Sequence, residues 1–203
     1  VGLDINAGLL AQASRVYGSI PGLAFAMGDI YTLPCRDVWD VVTAARVLQW
    51  LASPLEALRA MRAAVKPGGW VVTLDYNHER IVWEPAPPPS MQHFYRAFLR
   101  WRAEAGMDNT LADRLAHLSA QCGLVDIVST PQHEVSTRND PDFYTRLGLW
   151  AEVAASRGHQ MVVHGILTET QRATAEAEYR AWVHDSAAAQ TLYLLAVEGR
   201  RPS

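Results

Sequence analysis

The feature that most constrains this chain is an alternation in its first 76 residues. Four short apolar runs, Val1–Asp4, Leu23–Met27, Trp39–Ala45 and Trp70–Tyr76, are separated by stretches with helical spacing or turn signals. After the first run, Asn6 stands where it can cap a helix whose apolar residues Leu9, Leu10, Ala13 and Val16 share one face. Pro21-Gly22 marks a turn. Ser53-Pro54 opens another helix, a capping oxygen followed by proline at the first helical position. Leu55, Leu58, Met61, Arg62 and Val65 then repeat at helical spacing, and Lys66-Pro67-Gly68-Gly69 ends the helix and turns the chain. Strands alternating with helices predict a parallel sheet with right-handed crossovers, an α/β fold with helices on both faces. The run Trp70–Tyr76 is apolar for most of its length, as a strand covered on both faces requires.

Beyond Tyr76 the pattern changes. Residues 84–89 are proline-rich and exclude regular helix. Ser90 to Ala105 reads as an amphipathic helix carrying Phe94, Tyr95, Phe98 and Trp101, and Leu111 to Cys122 as a second, closed by Gly123. Val125 to Val135 and Thr191 to Glu198 read as strands. Asp140-Pro141 opens a helix to about Ser156, and Thr168 caps one to about His184. The expected organisation is one domain over 1–203. Residues 1–76 form the alternating part, 77–190 a helical insert and cap region, and 191–203 a terminal strand and tail.

Composition narrows the partners. The chain has 49% hydrophobic and 19% charged residues, a globular balance, and a formal net charge of -3. No long basic run attracts nucleic acid. No apolar run is long enough to span a bilayer and no signal peptide opens the chain, so the expected location is the cytoplasm. The two cysteines, Cys35 and Cys122, make neither a disulfide framework nor a zinc site, and they stand open to pairing or to remaining free. His117, His133, His159, His164 and His184 show no metal-ligand spacing.

Three features fall in order at the ends of the apolar runs, where an open parallel sheet binds ligands. Asp4 ends the first run; a carboxylate there can accept from both hydroxyls of a ribose, or merely favour a helix start. Gly28-Asp29-Ile30 follows the second; Asp29 can accept from an adenine amino group while Ile30 packs on the base, and an ordinary turn aspartate is the alternative. The third is the series Asp40 to Trp50, followed by a helix and the Lys-Pro-Gly-Gly turn.

Taken together these motifs resemble the class I S-adenosylmethionine-dependent methyltransferases of small molecules. The Leu48-Gln49-Trp50 tail is similar to that of carboxyl methyltransferases acting on trans-aconitate or a malonyl carrier. The resemblance rests on specific motifs over residues 1–76 and on architecture beyond. It implies a Rossmann-like fold with antiparallel C-terminal edge strands. It also implies S-adenosylmethionine as cofactor, with Asp4 and Ile5 on the ribose, Asp29 and Ile30 on the adenine, and Ala44, Ala45 and Arg46 along the methionine part. Arg46 reads equally as a surface arginine paired with a local carboxylate. The family's first strand and glycine-rich loop fall before Val1. The expectation is therefore an N-terminally truncated chain, with ~40 or more further residues in the full reading frame. Without that central strand, those ending at Asp4 and Ala45 flank a gap with unpaired backbone groups.

On the acceptor side, methyl transfer from a sulfonium asks the protein mainly to orient the acceptor and exclude water. Candidates are Trp50, Tyr76, Asn77, His78, Glu79 and His93, with Tyr95 and Trp101 on the aromatic helix. For His78 an exposed loop histidine is the ordinary reading, and for the aromatic helix core packing is. A carboxylate acceptor is already ionised and needs no base. Two other readings stay open: a nicotinamide-dependent oxidoreductase, and a non-catalytic methyltransferase-like domain that binds a partner or forms a homodimer through its unpaired strands.

Overall fold

A computed structural model describes all residues, 1–203. Strand β1 (Gly2–Asp4), helix α1 (Ala7–Tyr17) and strand β2 (Phe25–Met27) form a small unit in which the two strands pair in parallel, Asp4 opposite Met27. Asn6 caps α1 as its position predicts, its side chain accepting from the Gly8 and Leu9 N–H groups. Strand β3 (Trp39–Ala45), helix α2 (Pro54–Ala64) and strand β4 (Val65–Tyr76) follow, β3 and β4 again parallel.

Two local expectations are corrected here. Ser53 makes no side-chain cap bond, so Pro54 at the first helical position starts α2 without it. Lys66–Gly69 does not stand outside the strand but lies within β4. The reason is pairing on both sides: Val65 is in register with Trp39, and the Gly68 and Gly69 backbone exchanges bonds with Arg201. A Cβ at Gly69 would lie 2.6 Å from the Asp40 carbonyl oxygen, which explains a glycine at that point.

Next come β5 (Val82–Glu84), α3 (Pro89–Glu104) and α4 (Leu111–Gln121). After them the expected strand Val125–Val135 is divided into β6 (Val125–Pro131) and β7 (Glu134–Thr137). The helix expected from Asp140 is also two, α5 (Phe143–Leu147) and α6 (Leu149–Val163), divided at Gly148, where a Cβ would meet the Tyr144 carbonyl oxygen at 2.8 Å. Helix α7 (Glu169–Asp185) begins with a full capping box between Thr168 and Gln171. The final strand is divided as well, into β8 (Ala189–Leu192) and β9 (Leu194–Arg200). Both divisions meet: the rings of His133 and Tyr193 stack 4.4 Å apart, and His133 Nδ1 accepts from the Leu194 N–H.

The main sheet has the order β3-β4-β9-β6, with β9 antiparallel to both neighbours, and the second has the antiparallel order β5-β8-β7. The antiparallel pairing of the two C-terminal segments is thus as the sequence predicts. β1 and β3 belong to different sheets and do not pair.

Two apolar cores hold the molecule. In one, α2 and α4 cover a single face of the main sheet, burying Leu58, Met61, Leu111 and Leu115 on Ala44, Val71 and Val197. The alternation along β4, with Val71, Thr73 and Asp75 buried and Val72, Leu74 and Tyr76 only half-buried, marks that face. The other core joins α3, α5, α6 and α7 around Phe94, Phe98, Phe143 and Tyr179. Tyr95 and Trp101 pack inside it. Helix α4, which the sequence places with the insert, packs on the sheet instead. No helix is long and apolar enough to cross a membrane.

Candidate functional site

Parallel pairing of β1 with β2 carries Asp4 and Asp29 out at the same end of that sheet. The Gly28 N–H donates to the Asp4 carbonyl at 3.1 Å, which ties the two exits together. Each carboxylate spends one oxygen on the local backbone: Asp4 Oδ1 accepts from the Asn6 N–H at 2.7 Å, Asp29 Oδ1 from the Tyr31 N–H at 2.9 Å. The second oxygen of each has no protein partner, and both side chains are only half-buried. Two oriented acceptors on adjacent strand ends fit the hydroxyls and amino group of an adenosine. Ile5 is exposed, while Ile30 is half-buried against the core of the main sheet.

At the end of β3, Ala44 is buried and Ala45 exposed. Arg46 takes the left-handed conformation (φ 60), and its N–H donates to the Leu74 carbonyl at 2.7 Å. Its guanidinium is ion-paired with Glu134 of β7 and lies 5.5 Å from the Tyr76 ring centroid. Arg46 does pair with a carboxylate, but one 88 residues away, so the contact ties the end of β3 to the second sheet.

The acceptor-side candidates separate into two groups. Trp50 is 39% exposed and is flanked by the guanidinium groups of Arg102 and Arg157 at 4.8 and 5.5 Å. Tyr76 is half-buried beside His78, their ring centroids 5.4 Å apart. His78 is not an exposed loop histidine. It is 8% exposed, its N–H donates to the Asn109 carbonyl, and Phe98 and Trp150 pack edge-on against its ring. Burial, and secondarily the Arg102 charge, lower its pKa from 6.5 to about 3. Glu79 is exposed, whereas Asn77 is buried and donates to Asp113 at 2.8 Å. His93 is exposed on α3, on the side away from the buried aromatic residues.

His78 belongs to a buried polar cluster that residue type and spacing did not reveal. Its Nε2 meets Gln49 Oε1 at 2.5 Å. Asp75, fully buried in β4, accepts from the Leu48 N–H at 3.1 Å, and burial pushes its carboxyl from 3.8 to about 7. Arg102, fully buried on α3, donates to the Gln49 carbonyl at 2.8 Å and to Asn109 Oδ1 at 2.9 Å. Burial lowers its pKa to about 10. The Leu48–Trp50 turn is therefore gripped from the sheet by Asp75 and from the helical core by Arg102. Asp75 Oδ1 and one terminal nitrogen of Arg102 are buried without partners. A signal was present: Asp75 interrupts an apolar strand, and Arg102 continues the series Phe94, Phe98 at intervals of four on a buried helix face.

None of the expected site residues lines the cleft of about 380 Å³ between the start of α2 and α4. Both cysteines are free.

Residues 1–73 match a family described as methyltransferase domain. Over 73 residues the chain is 33% identical to a malonyl-[acyl-carrier protein] O-methyltransferase of a Marinomonas species, covering 36% of this chain and 27% of that protein. Over 69 residues it is 36% identical to the trans-aconitate 2-methyltransferase of Methylobacterium nodulans, covering 34% and 26%. The chain spans about a quarter of the length of the curated relatives it matches. Among solved structures, the YcgJ protein of Bacillus subtilis superposes with a TM-score of 0.59 at 13% identity, covering 100% of this chain and 82% of that one. A phosphoethanolamine N-methyltransferase 2 of Haemonchus contortus, bound to S-adenosylhomocysteine, superposes with 0.55 at 14% identity, covering 100% and 43%. The [4+2]-cyclase SpnF shares the fold with 0.53 at 19% identity, covering 99% and 66%. The fold is that of the class I, S-adenosylmethionine-dependent methyltransferases. Within it, residues 1–73 are the stretch that matches the methyltransferase-domain family.

Proposed function

We propose that this protein transfers a methyl group from S-adenosylmethionine to a small-molecule acceptor, and that the acceptor group is a carboxylate. The observation that carries the reading is the pair Asp4 and Asp29. Each holds one free carboxylate oxygen at adjoining strand ends. In this reading Asp4 and Ile5 hold the ribose, Asp29 and Ile30 the adenine, and Ala44, Ala45 and Arg46 the methionine part. Trp50, Tyr76 and His78 face the acceptor, with His93 an outer contact from the cap helix. Residues 1–76 then serve the cofactor, and the helical segments beyond cover the acceptor.

The carboxylate draws support from the two relatives, whose names specify a malonyl carrier and trans-aconitate as the molecules they methylate. When bound, S-adenosylmethionine supplies an electrophilic methyl with a neutral thioether as leaving group. An ionised carboxylate oxygen forms the new O–C bond as the S–C bond breaks, and no proton has to move. The protein's part is then to align the two molecules and keep water out. The same proposal takes the protein as cytoplasmic. It also takes the unpaired strand edges as a route to homodimers, which light scattering across a concentration series tests.

A second reading, another reaction on the same scaffold, is favoured by the likeness to a cyclase. Thermal unfolding with and without S-adenosylhomocysteine separates the readings at the cofactor step. A ligand that binds only the native state raises the midpoint. A cooperative transition that does not move with the ligand sinks the methyltransferase reading.

A further inference from the structure

The buried polar cluster determines which nitrogen of His78 carries the proton. The Gln49 amide is oriented by its own neighbour, because its Nε2 donates to the Arg46 carbonyl at 3.3 Å. Its Oε1 is therefore the atom that meets His78 Nε2 at 2.5 Å. An amide oxygen only accepts, so His78 Nε2 must donate. A neutral imidazole has one N–H, which leaves Nδ1 with a bare lone pair.

The ring is held in that orientation on every side. Phe98 and Trp150 meet it edge-on, with centroids at 6.1 and 6.3 Å, and Tyr76 covers it at 5.4 Å. The backbone is held as well, for the His78 carbonyl accepts from the Tyr95 hydroxyl at 2.6 Å. Burial and the Arg102 charge keep the ring neutral at physiological pH. Nδ1 has no protein partner, yet it is not among the unpaired side-chain atoms sealed from solvent. The residual 8% exposure of His78 accommodates it. The contact between His78 and Gln49 links the exits of β3 and β4, with Gln49 four residues past Ala45 and His78 two past Tyr76, at the strand ends where this fold class places its reaction.

We propose that His78 Nδ1 is a fixed hydrogen-bond acceptor for the molecule being methylated, and that this molecule carries an O–H or N–H group that donates to it. The inference rests on the methyltransferase reading and narrows it. A molecule whose only polar group is an ionised carboxylate brings lone pairs against a lone pair and is disfavoured. A hydroxy- or amino-substituted acid satisfies both the carboxylate and His78. No proton is transferred to the ring; His78 selects and positions.

The test is a long-range proton–nitrogen correlation spectrum of the full chain, labelled with nitrogen-15 in histidine and saturated with S-adenosylhomocysteine. The His78 signals are those that His78→Gln lacks and that stay neutral at pH 5. The proton is expected on Nε2. Phenol and indole, which donate, are expected to shift Nδ1 saturably, and benzoate at pH 7 is not. A proton on Nδ1, an Nδ1 signal unmoved by both donors, or an equal response to benzoate overturns the proposal. A purely structural histidine keeps its tautomer and responds to none of the three, so it too is distinguished. Calorimetry on the same sample separates the two levels. If S-adenosylhomocysteine binds while Nδ1 stays silent, the methyltransferase reading stands and this inference fails. If it does not bind, the broader reading fails and takes this one with it.

Discussion

Asp75 and His78 should give this protein two opposed pH dependences that hide each other. Asp75 is driven by burial from 3.8 to about 7, against the opposing pull of the Gln49 and Leu48 N–H groups and of Arg102. Its folded-state pKa is raised, so its contribution to stability is full below about pH 4 and is lost as pH rises through 7. His78 is driven by burial, and then by Arg102, from 6.5 to about 3. Its folded-state pKa is lowered, so its contribution is full above about pH 6.5 and is lost as pH falls toward 3. A group that holds one more proton in one state than in the other changes the unfolding free energy by up to ~1.4 kcal/mol for each step of one in pH. Asp75 and His78 supply slopes of that size with opposite signs. Between about pH 4.5 and 6.5 the pair therefore contributes almost no net slope. Removing one partner exposes the other. Relative to the wild type, Asp75→Asn should gain up to ~3 kcal/mol of unfolding free energy across that interval, and His78→Gln should lose as much. Urea denaturation at closely spaced pH values measures both. Glu169 and Glu176, the carboxylates that Arg172 holds below their ordinary range, are common to all three proteins and cancel in the difference. If the three stability profiles run parallel, Asp75 and His78 are not buried in these protonation states.

Three further outcomes are expected. Asp4→Ala should abolish most of the thermal shift given by S-adenosylhomocysteine, which in the wild type is worth ~2.7 kcal/mol at a hundredfold excess over Kd, and differential scanning calorimetry reads it. Gly69→Ala should destabilise by about 1–3 kcal/mol in urea denaturation, because the added Cβ faces the Asp40 backbone carbonyl, which has little room to give. Thr168→Ala should cost about 1 kcal/mol in the same assay by removing the cap bond to the Gln171 N–H, and Thr168→Ser should restore most of it.

The turns at Asp4 and Asp29 were legible in the sequence because they are built locally. Asp4 and Asp29 are placed by turns two residues long, and Asn6 caps the helix next to it, so residue type and spacing suffice. Strand divisions were only partly legible, for the opposite reason. Pro131, which has no N–H to give a ladder, marks the end of β6 within Val125–Val135, but the contact that fixes the break, His133 packed on Tyr193, comes 60 residues later in the chain. The same holds for Lys66–Gly69, which reads as a turn by composition and lies in a strand because Arg201 pairs with it. The extent of helix α6 likewise follows from packing in the helical core, not from its cap.

The buried polar cluster draws on four separate parts of the chain, namely the turn after β3, the end of β4, α3 and the loop at Asn109. Stability does not account for it. Two ionisable groups, Asp75 and Arg102, are fully buried, and each keeps an unpaired atom. Apolar residues of similar size at such positions often give equal or greater stability. What the polar groups do provide is direction. Asp75 anchors the Leu48 N–H and Arg102 the Gln49 carbonyl, so the turn is held on both sides. The Gln49 amide, oriented by Arg46, then dictates the His78 tautomer. A leucine at position 75 and a methionine at position 102 would therefore leave the fold standing. They would also free the Leu48–Trp50 turn, and the loss should appear in acceptor selectivity before it appears in the melting temperature.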